Sequence, residues 1–140
     1  ENPMPNIVLH DPKEWEQVNH AMQLVMHDPR GIARAAAQGV QYRIAGKSGT
    51  AQVVAIKQGE RYDRLKTAER NRDNALFVGF APAEDPQIVI SVMIENGEAG
   101  GRVAGPVVRK VMDAWLLDNH GVLKPQYASP QEKPHTTPHV

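Results

Sequence analysis

The 140-residue chain contains no cysteine, which excludes a disulfide framework, a thiolate metal site and a thiol nucleophile, and leaves its redox compartment unmarked. It also lacks an excess of either charge. Sixteen basic side chains stand against sixteen acidic ones, so the basic footprint of a dedicated nucleic-acid binder, or of a protein held on an anionic membrane, is missing. Long apolar runs are absent too. The best of them, Ile88 to Ile94, is interrupted by Ser91 and falls far short of the roughly 20 residues that span a bilayer. The N-terminus has no basic stretch followed by an apolar one, so an export signal, if the protein uses one, is expected outside this chain. The length suits one compact domain.

Hydropathy patterning supplies the elements. Asp11-Pro12-Lys13-Glu14 reads as a helix start: Asp11 can cap, Pro12 suits the first helical position, and Glu14 is spaced to reach back as in a capping box. Trp15, Val18, Met22 and Val25 then recur at three and four residues, the stripe of a helix packed on something larger, and Asp28-Pro29 ends it. An alanine-rich turn over residues 32–37 is closed by Gly39. Residues 42–56 are strand-like around the small-residue centre Ala45-Gly46-Lys47-Ser48-Gly49-Thr50-Ala51; small residues weaken a strand unless something must approach its backbone. Residues 57–74 are dense in both charges and read most simply as a solvated excursion, with local helix near 65–70.

Two further strands, residues 75–81 and 87–95, are joined by Pro82-Ala83-Glu84-Asp85-Pro86 as a tight hairpin. A glycine-rich loop over residues 96–105 leads to Pro106 and a helix on which Val108, Val111, Met112 and Trp115 share a face, ended by Asn119 and Gly121. Trp15 and Trp115 are expected as core anchors of the two helices. Consecutive strands joined by a hairpin make an antiparallel sheet, and two amphipathic helices need its faces, so the fold class is α+β. Residues 1–122 form the structured part; residues 123–140, with Pro125, Pro130, Pro134 and Pro138, are expected to be a disordered tail.

Gly46-Lys47-Ser48 invites a phosphate-loop reading. That pattern needs a glycine five residues before Gly46, where Gln41 stands, and a helix after the motif, where this chain continues as strand. The other reading is a Lys-Ser-Gly-Thr strand beside an active site. Ser48 and Thr50 alternate onto one side of the strand, and Gly49 leaves a gap through which a substrate reaches the backbone. Two hydroxyls, an ammonium and backbone N–H groups suit a substrate with a carboxylate and a carbonyl that becomes an oxyanion. The structural alternatives are a solvated lysine at Lys47 and a bulge at Gly49.

With its surroundings, the motif resembles a known family. Ala45-Gly46-Lys47-Ser48-Gly49-Thr50-Ala51-Gln52-Val53, then Phe77-Val78-Gly79-Phe80-Ala81-Pro82, then Pro86 through Gly97 are similar to the C-terminal third of a class B penicillin-binding protein transpeptidase domain, whose third motif is the lysine–threonine–glycine triad. Tyr62, Ala68-Glu69-Arg70 and Arg72-Asp73 resemble the elongation subgroup, penicillin-binding protein 2 of Gram-negative bacteria. The resemblance implies the penicillin-binding protein and serine β-lactamase fold. It implies D,D-transpeptidation of peptidoglycan stem peptides during elongation and cell-shape maintenance, inhibition by β-lactams, and no metal or organic cofactor. Lys47 would hold the site's electrostatics and the substrate carboxylate, Ser48 and Thr50 would hydrogen-bond that carboxylate, the backbone N–H of Thr50 would furnish half an oxyanion hole, and Gly49 would keep the strand open.

The family's nucleophile lies in Ser-x-x-Lys and a further hydroxyl in Ser-x-Asn. Ser48, Ser91 and Ser129 are the serines of this chain, and none begins either motif. The chain alone is therefore expected to be inactive, a C-terminal part of a domain whose upstream part carries both motifs and covers an apolar face. Further partners implied are a membrane glycosyltransferase and elongation scaffold proteins, at the periplasmic face of the inner membrane. A second reading is a non-catalytic module that accepts a peptide or protein along residues 46–56 by strand addition. His10, His20 and His27 have no companion ligand at metal spacing and read as surface histidines; His135 and His139 lie in the tail.

Overall fold

The structure, a computed structural model, describes residue 5, residues 7–53 and residues 68–128. The first helix, α1 (Pro12–His27), starts as its sequence dictates, with the Asp11 carboxylate accepting the Lys13 N–H at 2.9 Å. Among the described residues, Glu14 contributes its acidic charge to the first turn but no side-chain hydrogen bond, so the capping box reduces to a single cap. The helix stops at Asp28, whose N–H donates to the Leu24 carbonyl. The alanine-rich turn is a 3-10 helix, Arg34–Ala37, followed by Gly39 at φ +68°, a left-handed position that glycine occupies without strain.

Three strands follow: β1 (Ala45–Ala51), β2 (Asn74–Ala81) and β3 (Ile88–Ile94), antiparallel in the order β1-β2-β3. The site strand is shorter than the expected residues 42–56. Tyr42 and Ile44 are buried in the core ahead of it, and residues 54–56 lie outside the described residues. In the charged excursion, a 3-10 turn at Glu69–Asn71 stands at the end of the expected helix near 65–70, of which residues 65–67 are not described. The β2–β3 connection closes with the Gln87 N–H on the Ala81 carbonyl at 3.0 Å. After β3 the chain forms one π-helical turn, Gly100–Ala104, that runs directly into α2 (Gly105–Leu116).

Both helices pack on the sheet, and the fully buried side chains Met26, Ile44, Phe77, Val108, Met112 and Leu116 mark the core between them. The face of α2 that faces inward is Gly105, Val108, Met112 and Leu116, not the expected set with Val111 and Trp115. A four-residue step turns 40° around a helix, whereas a three-residue step turns the other way, so Val111 and Trp115 sit beside the buried stripe. Neither tryptophan is a core anchor: Trp15 is 48% exposed and Trp115 53% exposed. Trp15 instead stacks on Phe80, ring centroids 6.1 Å apart.

Polar ties fix the helices to the segment before β1. The Tyr42 hydroxyl donates to Asp113 Oδ1 at 2.7 Å, and Arg109 Nε reaches both Asp113 oxygens at 2.8 Å while its terminal nitrogen donates to the Ala36 carbonyl at 3.2 Å. Burial pushes the Tyr42 hydroxyl far above its usual pKa, so it stays a donor. Beyond α2 the chain remains ordered to Ala128: Leu123 pairs with Leu117, Lys124 N–H donates to the Leu116 carbonyl, and Pro125–Tyr127 is a 3-10 turn. The tail expected to begin at 123 is thus ordered over its first six residues, because Leu123 and Tyr127 pack against the core. Residues 129–140 lie outside the described residues.

Candidate active-site strand

The whole candidate set, Lys47, Ser48, Gly49 and Thr50, lies on β1. Among the described residues this is an edge strand, paired on one side with β2 in the register Lys47↔Val78, Ser48↔Phe77, Gly49↔Leu76 and Thr50↔Ala75. Cross-strand partners share a sheet face. Ser48 and Thr50 therefore stand on the face of Phe77 and Ala75, and Lys47 on the face of Val78. The small-residue centre has a packing cause. A Cβ on Gly46 would stand 2.6 Å from the Phe77 ring and 3.3 Å from the Met26 sulfur, and one on Gly49 would stand 3.3 Å from the Leu76 Cβ. Helix and sheet approach β1 too closely for larger side chains there.

A cleft of about 620 Å³ runs beside the strand, lined by all four of these residues together with Ile32, Glu98 and Arg102. One wall is β1; the other is the glycine-rich turn. The two walls touch where a Cβ on Gly100 would overlap the Leu76 carbonyl oxygen and lie 2.7 Å from that of Gly49. Lys47 Nζ donates to the Ser48 carbonyl at 2.6 Å, and Thr50 Oγ1 donates to the Glu98 carbonyl at 3.4 Å. The ammonium is thus folded along its own strand, and the threonine hydroxyl ties the strand to the turn. This arrangement presents two hydroxyls, an ammonium and a guanidinium to one space, a donor set for an anionic, carbonyl-containing ligand.

Sequence reasoning missed Ile32, Glu98 and Arg102. Gly97, Gly100 and Gly101 were the available signal, since glycines crowded ahead of a helix mark a close backbone approach. It also missed His27. This residue is not a free surface histidine: its Nε2 accepts the Ile44 N–H at 2.9 Å, one residue before β1. Desolvation, then the Arg43 charge, hold its pKa below the usual imidazole value.

Comparison with known proteins gives the geometry a context. Residues 2–113 match the Penicillin binding protein transpeptidase domain. The chain is 44% identical over 108 residues to the peptidoglycan D,D-transpeptidase MrdA of Acinetobacter baumannii, covering 75% of this chain and 15% of that protein. A crystal structure of Pseudomonas aeruginosa PBP2 in complex with WCK 5153 superposes with a TM-score of 0.77 and 54% identity, over 92% of this chain and 26% of that one. A Helicobacter pylori PBP2, solved in complex with MreC, matches with a TM-score of 0.58 and 25% identity over 74% of this chain and 17% of that one. The chain therefore spans less than a fifth of the length of the curated relatives it matches.

Proposed function

Because the chain belongs to the penicillin-binding protein transpeptidase family, of the MrdA type, we propose that it supplies the substrate-binding strand of a peptidoglycan D,D-transpeptidase. The observation that carries this reading is the single cleft formed by Lys47, Ser48, Gly49 and Thr50.

In the proposed reaction, a serine hydroxyl from the part of the protein that carries Ser-x-x-Lys attacks the penultimate D-Ala carbonyl of a stem pentapeptide. Its proton passes through a basic side chain to the departing terminal D-Ala amine as the peptide bond breaks. An amine on a neighbouring stem peptide then attacks the acyl-enzyme ester, and the serine oxygen recovers a proton. Lys47, Ser48 and Thr50 hold the donor's terminal carboxylate before it leaves. The Thr50 backbone N–H serves the oxyanion, which forms only on the way to reaction and so contributes to rate rather than to binding. Gly49 keeps the strand backbone approachable. A β-lactam enters as the carboxylate-bearing mimic and stays as the ester.

We place the work at the periplasmic face of the inner membrane, beside a glycosyltransferase and scaffold proteins; the complex of the Helicobacter pylori relative with MreC supports the scaffold partner alone. No helix among the described residues is long and apolar enough to cross a membrane. Release of D-Ala from a stem pentapeptide by the full-length protein, blocked by prior penicillin treatment, tests this proposal; absence of release with a folded protein and an acceptor amine present contradicts it.

A further inference from the structure

We propose that Arg102 is a specificity-determining residue that binds a second anionic group of the acyl donor, apart from the terminal carboxylate assigned to Lys47, Ser48 and Thr50. The inference rests on the transpeptidase reading and extends it. Arg102 lines the same cleft from the opposite wall, on the π-helical turn Gly100–Ala104. Its backbone has little freedom. Gly100 is wedged against Leu76 and Gly49, a Cβ on Gly101 would stand 2.9 Å from the Ile32 carbonyl oxygen, and the Arg102 N–H donates to the Ala99 carbonyl at 3.1 Å. Asn96 at φ +57° and Glu98 at φ +61° show the preceding chain held in conformations uncommon for residues with side chains. The guanidinium is thus carried on a base locked to the site strand.

Its side chain, in contrast, is exposed and makes no hydrogen bond or ion pair among the described residues. Among the described residues, Lys47 and Arg102 on its walls stand against one carboxylate, Glu98, a positive excess there. A guanidinium fork matches a carboxylate at two points, and its charge adds to that of a neighbouring cation. A donor with a second carboxylate therefore gains over one without.

The test compares two penicillins that differ only by a carboxylate on the acyl side chain, using the acylation rate constants of the full-length protein that carries this sequence. The wild type is expected to favour the carboxylated compound, and R102Q to reduce that preference about tenfold, with R102K keeping part of it. The ratio is the readout because a merely structural loss moves both constants together. An unchanged ratio in R102Q overturns the assignment. A wild type acylated by neither penicillin overturns the transpeptidase reading and this inference with it.

Discussion

Gly100 and Gly49 come so close that a methyl group on the first would stand 2.7 Å from the carbonyl oxygen of the second. That seam joins the turn before α2 to the strand that carries the candidate site, so the geometry of the strand depends on a residue about fifty positions away in sequence. Substitution with alanine forces one wall to move. G100A is expected to cost about 1–3 kcal/mol, as overpacking does elsewhere, and to lower penicillin acylation together with the melting temperature. A G100A protein with unchanged melting temperature and acylation contradicts the seam.

Tyr42 and Asp113 provide a second handle. The hydroxyl donates at 2.7 Å to a carboxylate that Arg109 also holds. Tyr42→Phe removes one donor and leaves Asp113 paired, so the expected loss is about 1–2 kcal/mol. A urea-unfolding midpoint equal to wild type shows the bond to be dispensable.

His27 sets an expected pH dependence. Its pKa is lowered in the folded protein, chiefly by burial and next by Arg43, against opposing contributions from the Ile44 N–H and Glu84. The unfolded chain therefore binds the proton more readily. The stability it contributes is fully present above the unfolded value near 6.5 and is lost as the pH falls from there through the lowered folded value. Protonation also removes the acceptor of the Ile44 N–H. His27→Gln keeps an acceptor but no titration, so its unfolding midpoint falls less than the wild type's between pH 7.5 and 5 (about two and a half units spanning the imidazole range). Equal slopes contradict this account.

The outer faces carry a further expectation. Val89 and Met93 on β3 are 70% and 59% exposed, and Trp15 and Trp115 are half-exposed, large apolar side chains of the kind that mark a contact surface where they adjoin. The isolated 140-residue chain is expected to bind a hydrophobic dye or self-associate. A monomer that ignores the dye and unfolds cooperatively contradicts the idea that this surface is normally covered.

Much of the architecture was legible locally. Alternating Val, Ile and Phe around a proline-bounded turn specify β2 and β3, Asp11-Pro12 starts α1, and the Lys-Ser-Gly-Thr run marks the site strand before any packing is known. What stayed hidden depends on distant partners. Which of the apolar residues on α2 face inward is decided by the sheet beneath them, so Leu116 is buried and Trp115 is not. His27 acquires its role from Ile44, 17 residues on. Arg102 enters the cleft because Gly100 and Gly101 fit against Gly49 and Ile32, a fit that composition alone does not encode. The tail looked too polar to fold, yet Leu123 and Tyr127 pack against the core and the Lys124 N–H donates to the Leu116 carbonyl, which together hold its first residues.

The most direct test of the central claim, that this strand binds and activates the acyl donor, is covalent labelling of the full-length protein by a fluorescent penicillin. Lys47→Ala and Thr50→Val are expected to lower the acylation rate constant about 100-fold or more, the scale on which loss of positioned charge and hydrogen bonding acts in such sites, with melting temperatures near wild type. Labelling of both variants at the wild-type rate contradicts the claim.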